Sequence, residues 1–98
     1  MWILQRAEPA DGTQTFRLRA GAVKTVGRAP RADFVVDAAL VSRLHCRLTA
    51  TDDNIEVIDL KSTNGTFVND KRIHKAAVTA GDRLRVGRVE LKIGKNRG

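Results

Sequence analysis

The chain has 98 residues, the length of a single domain, with 18 Lys and Arg against 11 Asp and Glu and a net charge of +7. Its single cysteine, Cys46, excludes an intrachain disulfide, and no apolar run approaches the roughly 18 residues of a membrane-spanning helix. The N-terminal stretch MWILQRAEPADG lacks the apolar core of a secretory signal, so we expect a protein that is not secreted and is cytoplasmic, or nuclear in a eukaryote.

Short strand-like runs, most of them alternating apolar and polar residues, follow one another along the chain and are closed by turn signals. In chain order they are WILQRA, TFRLRA, GAVKTVGR, DFVV, HCRLTAT, NIEVIDL, TFVN, KRIH, RLRVG and VELKIG. In NIEVIDL the alternation puts Ile55, Val57 and Asp59 on one face. No helical apolar pattern persists over two turns, and DAALVSRLH is interpreted as a loop or a single turn. About ten strands of this kind predict an all-β sandwich or barrel.

Three loops between these runs are rich in groups that bind anions: GRAPRAD, LVSRLH and LKSTNGT. The loops of a sandwich gather at its two ends, and binding residues often lie on such loops. In the first loop, Gly27 fits an ordinary turn glycine and Arg28 an ordinary surface arginine. Arginine is also well suited to phosphate, because its planar fork donates two parallel hydrogen bonds and never deprotonates.

The second loop contains Ser42, Arg43 and His45 just ahead of a strand. One interpretation is a serine turn followed by a buried, hydrogen-bonded histidine. In the functional interpretation, Ser42 donates its hydroxyl to a phosphate oxygen, Arg43 adds charge, and His45 fixes the loop. A catalytic Ser–His pair is not expected, because no third group is placed to orient the histidine.

The third loop reads STNG and precedes the strand-like run TFVN. Asn64-Gly65 is a strong signal for a type I′ hairpin turn. Ser62, Thr63 and Asn64 nevertheless offer two hydroxyls and an amide, which is more polar capacity than a turn requires. The sequence therefore leaves open a plain turn and one wall of a phosphate site.

The blocks GRAPRADFVVD, LVSRLHCRL, IDLKSTNGTFVN and AGDRLRVG, in this order, resemble the forkhead-associated (FHA) domain. The likeness covers most of the chain. It implies an FHA-like β-sandwich of about eleven mostly antiparallel strands in two sheets, with the binding loops at one end. On this basis we expect a single domain over residues 1–94 and a short basic tail over residues 95–98.

The resemblance also implies a function: recognition of a phosphothreonine-containing protein or peptide, phosphorylated by a Ser/Thr kinase, without catalysis. The implied phosphate-binding residues are Arg28, Ser42 and Thr63; the implied peptide-binding residues are Arg43 and Asn64; and the residues implied to shape the loops are Gly27, His45, Gly65 and Asn69, the last by bracing a neighbouring turn. The family usually has Gly after that asparagine, whereas this chain has Asp70, which puts the local turn type in doubt but not the binding.

No cofactor, metal ion or catalytic residue is expected, and a monomer is expected. Two other functions stay open. A phospho-independent protein-binding scaffold would not need Arg28. A basic nucleic-acid-associated sandwich would suit the charge of +7, but the chain lacks the interleaved aromatic residues that stack on bases. A preference for acidic residues beside the phosphothreonine is suggested by Arg31, Lys61 and Lys71.

Overall fold

A computed structural model describes residues 1–6 and 14–96. These residues form eleven strands, as the resemblance implied. The strands are β1 (Trp2–Arg6), β2 (Gln14–Leu18), β3 (Val23–Gly27), β4 (Phe34–Val35), β5 (Cys46–Ala50), β6 (Ile55–Asp59), β7 (Thr66–Val68), β8 (Lys71–Ile73), β9 (Lys75–Val78), β10 (Arg83–Val86) and β11 (Val89–Lys95). Within the described segments, no helix is long and apolar enough to cross a membrane. DAALVSRLH is a loop with a turn, as predicted.

The strands form two sheets, a six-stranded one in the order β2-β1-β11-β10-β7-β8 and a five-stranded one in the order β4-β3-β5-β6-β9. All pairings are antiparallel except β3 with β4. The all-β sandwich prediction is confirmed. Along strands such as β5 and β11, alternate side chains are buried against the other sheet, as the period-two pattern requires.

The core between the sheets is aliphatic, with few aromatic rings. Its largest fully buried members are Trp2, Leu4, Leu18, Leu48, Ile55, Leu84, Leu91 and Ile93. Two further rings, those of Phe16 and Phe34, stack with centroids 4.8 Å apart. This packing holds the strands in place, and the loops are the parts of the chain that can vary around it.

Strand β9 is the strand that the sequence pattern did not indicate. It lies at the edge of the five-stranded sheet, where Ala76 is opposite Val57 and Ala77 is opposite Glu56 of β6. Alanine has a low preference for strands and gives no clear alternation. This strand forms because it pairs with β6, so the residues of β9 alone do not predict it.

The structure differs from the predicted basic tail, residues 95–98, at the first residue of that tail. Strand β11 continues through Lys95, which is opposite Trp2 of β1, and the Asn96 N–H donates to the Met1 carbonyl over 2.8 Å. The Lys95 ammonium also lies 4.7 Å from the centre of the Trp2 ring and donates to the Asp52 carbonyl. Lys95 therefore belongs to the sandwich; residues 7–13 and 97–98 lie outside the described residues.

Candidate functional site

Three loops are joined by hydrogen bonds at one end of the sandwich: residues 28–33 after β3, residues 36–45 after β4 and residues 60–65 after β6. The Arg28 N–H donates to the Ser42 carbonyl over 2.9 Å. The Thr63 N–H donates to the Ser42 hydroxyl oxygen over 3.1 Å. These are the three loops singled out in the sequence, and Ser42 lies between the other two.

The donors predicted for phosphate are left free by this arrangement. Ser42 Oγ accepts from Thr63, so its own hydroxyl hydrogen can be donated outward. Arg28 donates through Nε to the Val41 carbonyl over 3.1 Å, which fixes the direction of its guanidinium and spares both terminal amino groups. Among residues 1–6 and 14–96, the Thr63 hydroxyl makes no hydrogen bond. The structure therefore brings together a charged fork and two hydroxyls, a set suited to an oxyanion.

Gly27 is required by the close approach of the first two loops. A Cβ atom at this position would lie 2.0 Å from the Arg43 carbonyl oxygen and 2.9 Å from the Leu44 Cα. The neighbouring Ala29 N–H donates to that same carbonyl over 3.1 Å. Any side chain at Gly27 would push apart the backbones that carry Arg28 and Ser42.

His45 is fully buried beneath the site and links the second and third loops. Its Nδ1 accepts from the Ser42 N–H over 3.0 Å, so the proton is on Nε2, which donates to the Gly65 carbonyl over 2.8 Å. Burial lowers the pKa of His45, only partly opposed by the Gly65 carbonyl and the charge of Asp59. A neutral ring with both nitrogens engaged is a structural element, as the sequence indicated.

Asp59 organises the STNG loop, a role that the sequence pattern did not indicate. Its Oδ1 accepts from the Ser62 hydroxyl over 2.5 Å and from the Thr66 hydroxyl over 2.7 Å, and its Oδ2 accepts from the Ser62 N–H over 3.2 Å. Burial raises the pKa of Asp59, but the bonds from Ser62 and Thr66 outweigh it, so the net pKa is lowered. The available signal was a carboxylate on the same face as Ile55 and Val57.

Ser62 is not available to a ligand. Its hydroxyl donates to Asp59 and accepts from the Gly65 N–H over 3.0 Å, and the residue is only 8% exposed. Of the polar groups that STNG offers, one hydroxyl therefore shapes the loop. Thr63 and Asn64 remain exposed.

The two residues implied to contact a peptide lie at the rim of the site. Asn64 donates through Nδ2 to the Leu40 carbonyl over 3.1 Å, which leaves Oδ1 as an acceptor for a ligand N–H. Arg43 is exposed, and its side chain makes no ion pair or hydrogen bond in the described part of the chain. Asn64 thus joins the second and third loops, whereas Arg43 is tied only through its backbone.

The hairpin interpretation of Asn64-Gly65 is wrong. Strand β6 belongs to the five-stranded sheet and β7 to the six-stranded sheet, so the STNG loop crosses between sheets. Gly65 has φ +92, and its carbonyl accepts from both His45 Nε2 and the Gly87 N–H. The loop is held open toward its neighbours, which a two-residue hairpin turn would prevent.

The hairpin lies instead at Asn69-Asp70, between β7 and β8. Both residues have positive φ, 50 and 71, as a type I′ turn requires, so aspartate in place of the family's glycine keeps the turn type. Asn69 Nδ2 donates to Asp82 over 3.1 Å, and Oδ1 accepts from the Arg83 N–H over 2.9 Å. Asn69 therefore braces the turn before β10.

Two of the three cations expected to favour acidic neighbours lie on the site loops. Arg31 lies in the first loop, and Lys61, with φ 57, lies in the third. Lys71 lies outside these loops, on β8, where it is opposite Val68 at the far end of β7.

The cysteine and the metal-ligating side chains of the described residues do not form a metal site. Burial, reinforced by the charge of Asp59, raises the pKa of the Cys46 thiol to about 12, so it is an inert core residue. No cluster of three or more His, Cys, Asp or Glu side chains in the described ranges could hold a metal ion.

Comparisons with known proteins agree with this architecture. The family model for the FHA domain matches residues 24–87, a span that includes all of the candidate site residues from Gly27 to Asn69. The chain is 40% identical, over 82% of its length, to the ABC transporter ATP-binding/permease protein Rv1747 of Mycobacterium tuberculosis, of which it spans only 9%. It is 36% identical, over 68% of its length, to the oxoglutarate dehydrogenase inhibitor of Corynebacterium diphtheriae, of which it spans 47%.

Solved structures agree over nearly the whole chain. The FhaA FHA domain, in its complex with the intracellular domain of Rv3910, superposes with a TM-score of 0.85 at 30% identity and covers 95% of this chain and 99% of that one. A structure solved for the analysis of phosphothreonine-dependent FHA domain interactions gives a TM-score of 0.84 at 29% identity, covering 99% and 98%. The chain belongs to the FHA domain family.

Proposed function

We propose that this FHA domain binds phosphothreonine-containing segments of partner proteins and performs no chemistry on them. The segment would be phosphorylated by a Ser/Thr kinase, so that association depends on that kinase. The observation that carries the proposal is the convergence of Arg28, Ser42 and Thr63 from three loops, each with donor capacity left over after the internal hydrogen bonds.

The energetics require such convergence. A phosphothreonine brings about −1.5 to −2 charges and three strong acceptor oxygens. One exposed arginine at about 4 Å gains only about 1–4 kcal/mol before desolvation and ordering, whereas micromolar affinity needs about −8 kcal/mol. Donors that are already held by backbone bonds lose little freedom on binding, so Ser42 and Thr63 can add to the arginine.

The rest of the ligand would be held at the rim. Asn64 Oδ1, which makes no internal hydrogen bond among the described residues, would accept a backbone N–H of the segment, and Arg43 would offer its charge to it. His45 would act only through the loops, because both of its ring nitrogens are engaged. We further propose that the module works as a monomer in the cytoplasm, and that residues 1–96 form one domain.

The test is a binding titration with phosphothreonine, phosphoserine and unphosphorylated versions of a degenerate peptide library. Arg28→Ala and Ser42→Ala should each weaken phosphothreonine binding at least about tenfold, because each removes a charge-assisted hydrogen bond. Arg47→Ala is the matched control, since Arg47 is an exposed arginine opposite Ile58 in the five-stranded sheet. Circular dichroism would check that each variant is folded.

Other outcomes separate the remaining functions. Binding that ignores phosphorylation and survives Arg28→Ala would identify a phospho-independent scaffold. Binding to nucleic acid that falls steeply with salt, without preference for phosphothreonine, would identify a polyanion-binding surface instead. Unfolding of both Arg28→Ala and Ser42→Ala would mean that these side chains are structural.

A further inference from the structure

Phe67 lies between two arginines on the outer face of the six-stranded sheet. In the sheet register, Phe67 of β7 is opposite Arg72 of β8 on one side and Arg85 of β10 on the other. Thr66 and Val86, which flank this row, are buried, so the row itself faces outward by alternation. The Arg85 Cζ lies 3.9 Å from the centre of the Phe67 ring.

Both guanidinium groups are held close to the STNG loop. Arg85 stacks on Phe67 and donates to the Gly87 carbonyl over 3.1 Å, and the Gly87 N–H in turn donates to the Gly65 carbonyl. Arg72 lies over Gly65, with Nε 2.9 Å from where a Cβ of that residue would be. The two arginines are therefore oriented before any ligand arrives.

Neither guanidinium has a counter-ion in the described part of the chain. Two acidic residues close to this row in the chain or in the register, Asp70 and Glu90, both pair with Arg83, over 3.1 and 3.6 Å. Glu90 is directly opposite Arg85 in the register, yet its ion pair is with Arg83. Two positive charges, one on each side of Phe67, are thus left without neutralisation on a surface that already carries an excess of cations.

The pair is close enough to the phosphate donors to contact the same ligand. Gly65 follows Thr63 by two residues, which is at most about 7 Å of chain, and Arg72 lies against Gly65. Two or three residues of an extended ligand span a similar distance, about 7–10 Å. A segment with its phosphothreonine at Thr63 can therefore reach the arginines with a neighbouring side chain.

We propose that Arg72 and Arg85 form a second anion site that binds an Asp or Glu side chain within about three residues of the phosphothreonine. The inference rests on the proposed function and adds the chemistry of the flanking sequence. A planar carboxylate matches the guanidinium fork, and Phe67 keeps one face of Arg85 out of water, which strengthens the pairing.

The test measures how much an acidic residue improves binding. A phosphothreonine peptide with alanine at all flanking positions is compared with versions that carry one Asp, moved through four positions on each side. We expect about a three- to fivefold gain in affinity at one or two positions, which is the strength of an exposed ion pair, and the gain should shrink as salt rises.

Variants then show which arginines produce the gain in affinity from the acidic residue. Arg72→Gln and Arg85→Gln should each reduce it to less than about twofold, and Arg85→Lys should reduce it in part because the fork is lost. Arg83→Gln, on the same face and strand as Arg85 but already paired with Asp70 and Glu90, should leave the gain intact. Using the ratio of the two affinities removes any general effect of a variant on the loops.

The outcomes are distinguishable from those of the proposed function. If the alanine-flanked peptide binds but no Asp position improves the affinity, the second site is wrong and the phosphate site stands. The same holds if the gain survives in both Arg72→Gln and Arg85→Gln. If the alanine-flanked peptide does not bind at all, or binds equally without its phosphate, the proposed function itself fails.

Discussion

Asn64-Gly65 and Asn69-Asp70 are two asparagine-containing turns only five residues apart, and the fold uses them in different ways. The first crosses between the two sheets, and its Gly65 carbonyl accepts hydrogen bonds from His45 and Gly87. The second joins two neighbouring strands of one sheet, and its asparagine bonds to the turn before β10.

This difference predicts that the first turn contributes to binding and the second only to stability. Locally, both turns show the same chemistry, a residue that tolerates positive φ next to a side chain that bonds to the backbone. The STNG loop is held from below by Asp59 and His45, so its outer groups can be offered to a ligand. The Asn69 turn has only structural partners. Changes in the first region should therefore affect affinity, whereas changes in the second should affect stability alone.

The largest loss of stability and of phosphopeptide affinity is expected for Asp59→Ala. Ser62 and Thr66 would lose their shared acceptor, and three hydrogen bonds to a carboxylate would disappear. We expect the free energy of unfolding to fall by about 2–4 kcal/mol and phosphopeptide affinity to fall with it. Urea titration and peptide binding measure both, and Asp53→Ala at an exposed turn is the control. Full affinity in a folded Asp59→Ala variant would contradict the bracing role.

Gly65→Ala should cause the next largest loss of stability and of peptide affinity. Its φ of +92 costs an alanine about 1–2 kcal/mol, and the new Cβ would lie 2.9 Å from Arg72 Nε and 3.1 Å from Phe67. Gly81 has a similar φ of +95 with nothing within 4 Å, so Gly81→Ala isolates the cost of the backbone. Thermal unfolding should show the larger loss for Gly65→Ala, and only that variant should lose peptide affinity. Equal effects of the two variants would argue against a crowded site.

Asn69→Ala should destabilise the fold by about 1–2 kcal/mol, because the Arg83 N–H loses its acceptor and Asp82 loses a donor. The phosphopeptide dissociation constant should remain within about twofold of the wild-type value, since no site loop contacts this turn through a side chain of Asn69. Denaturation and binding curves on the same sample give both numbers. A parallel loss of affinity would erase the contrast between the two turns.

Acidification should cause the smallest loss of stability. Protonation of His45 and Asp59 weakens their hydrogen bonds, whereas a substitution removes the side chain. The pKa of His45 is lowered in the fold, so the unfolded chain binds more protons as pH falls through about 6.5 and stability decreases. The lowered pKa of Asp59 adds a second decrease as pH falls below about 3.8. Unfolding free energies between pH 8 and pH 3 test this.

A matched variant assigns the first of these decreases. His45→Gln should flatten the profile near neutral pH, whereas His74→Gln, at an exposed histidine, should leave it in place. A profile that rises on acidification would show that His45 is charged in the folded protein.

The sequence predicted the fold class because its evidence is local. Period-two alternation and turn residues reported most of the strands, and the order of the four family blocks implied the loops that converge. The local pattern did not predict strand β9 or the end of β11, because Ala76, Ala77 and Lys95 are ordered by their partners across the sheet. The contact roles of Arg28, Ser42 and Thr63 remain predictions until a ligand is bound.

What the sequence determined by itself was the alternating core and the three loops that are rich in anion-binding groups. Only the tertiary structure decided that Asn64-Gly65 crosses between sheets, that Asp59 binds the Ser62 hydroxyl, and that Arg72 and Arg85 lie beside the STNG loop. The reason is physical: propensity and alternation act between neighbours in the chain, whereas hydrogen bonds and charges are settled between residues brought together by strand pairing.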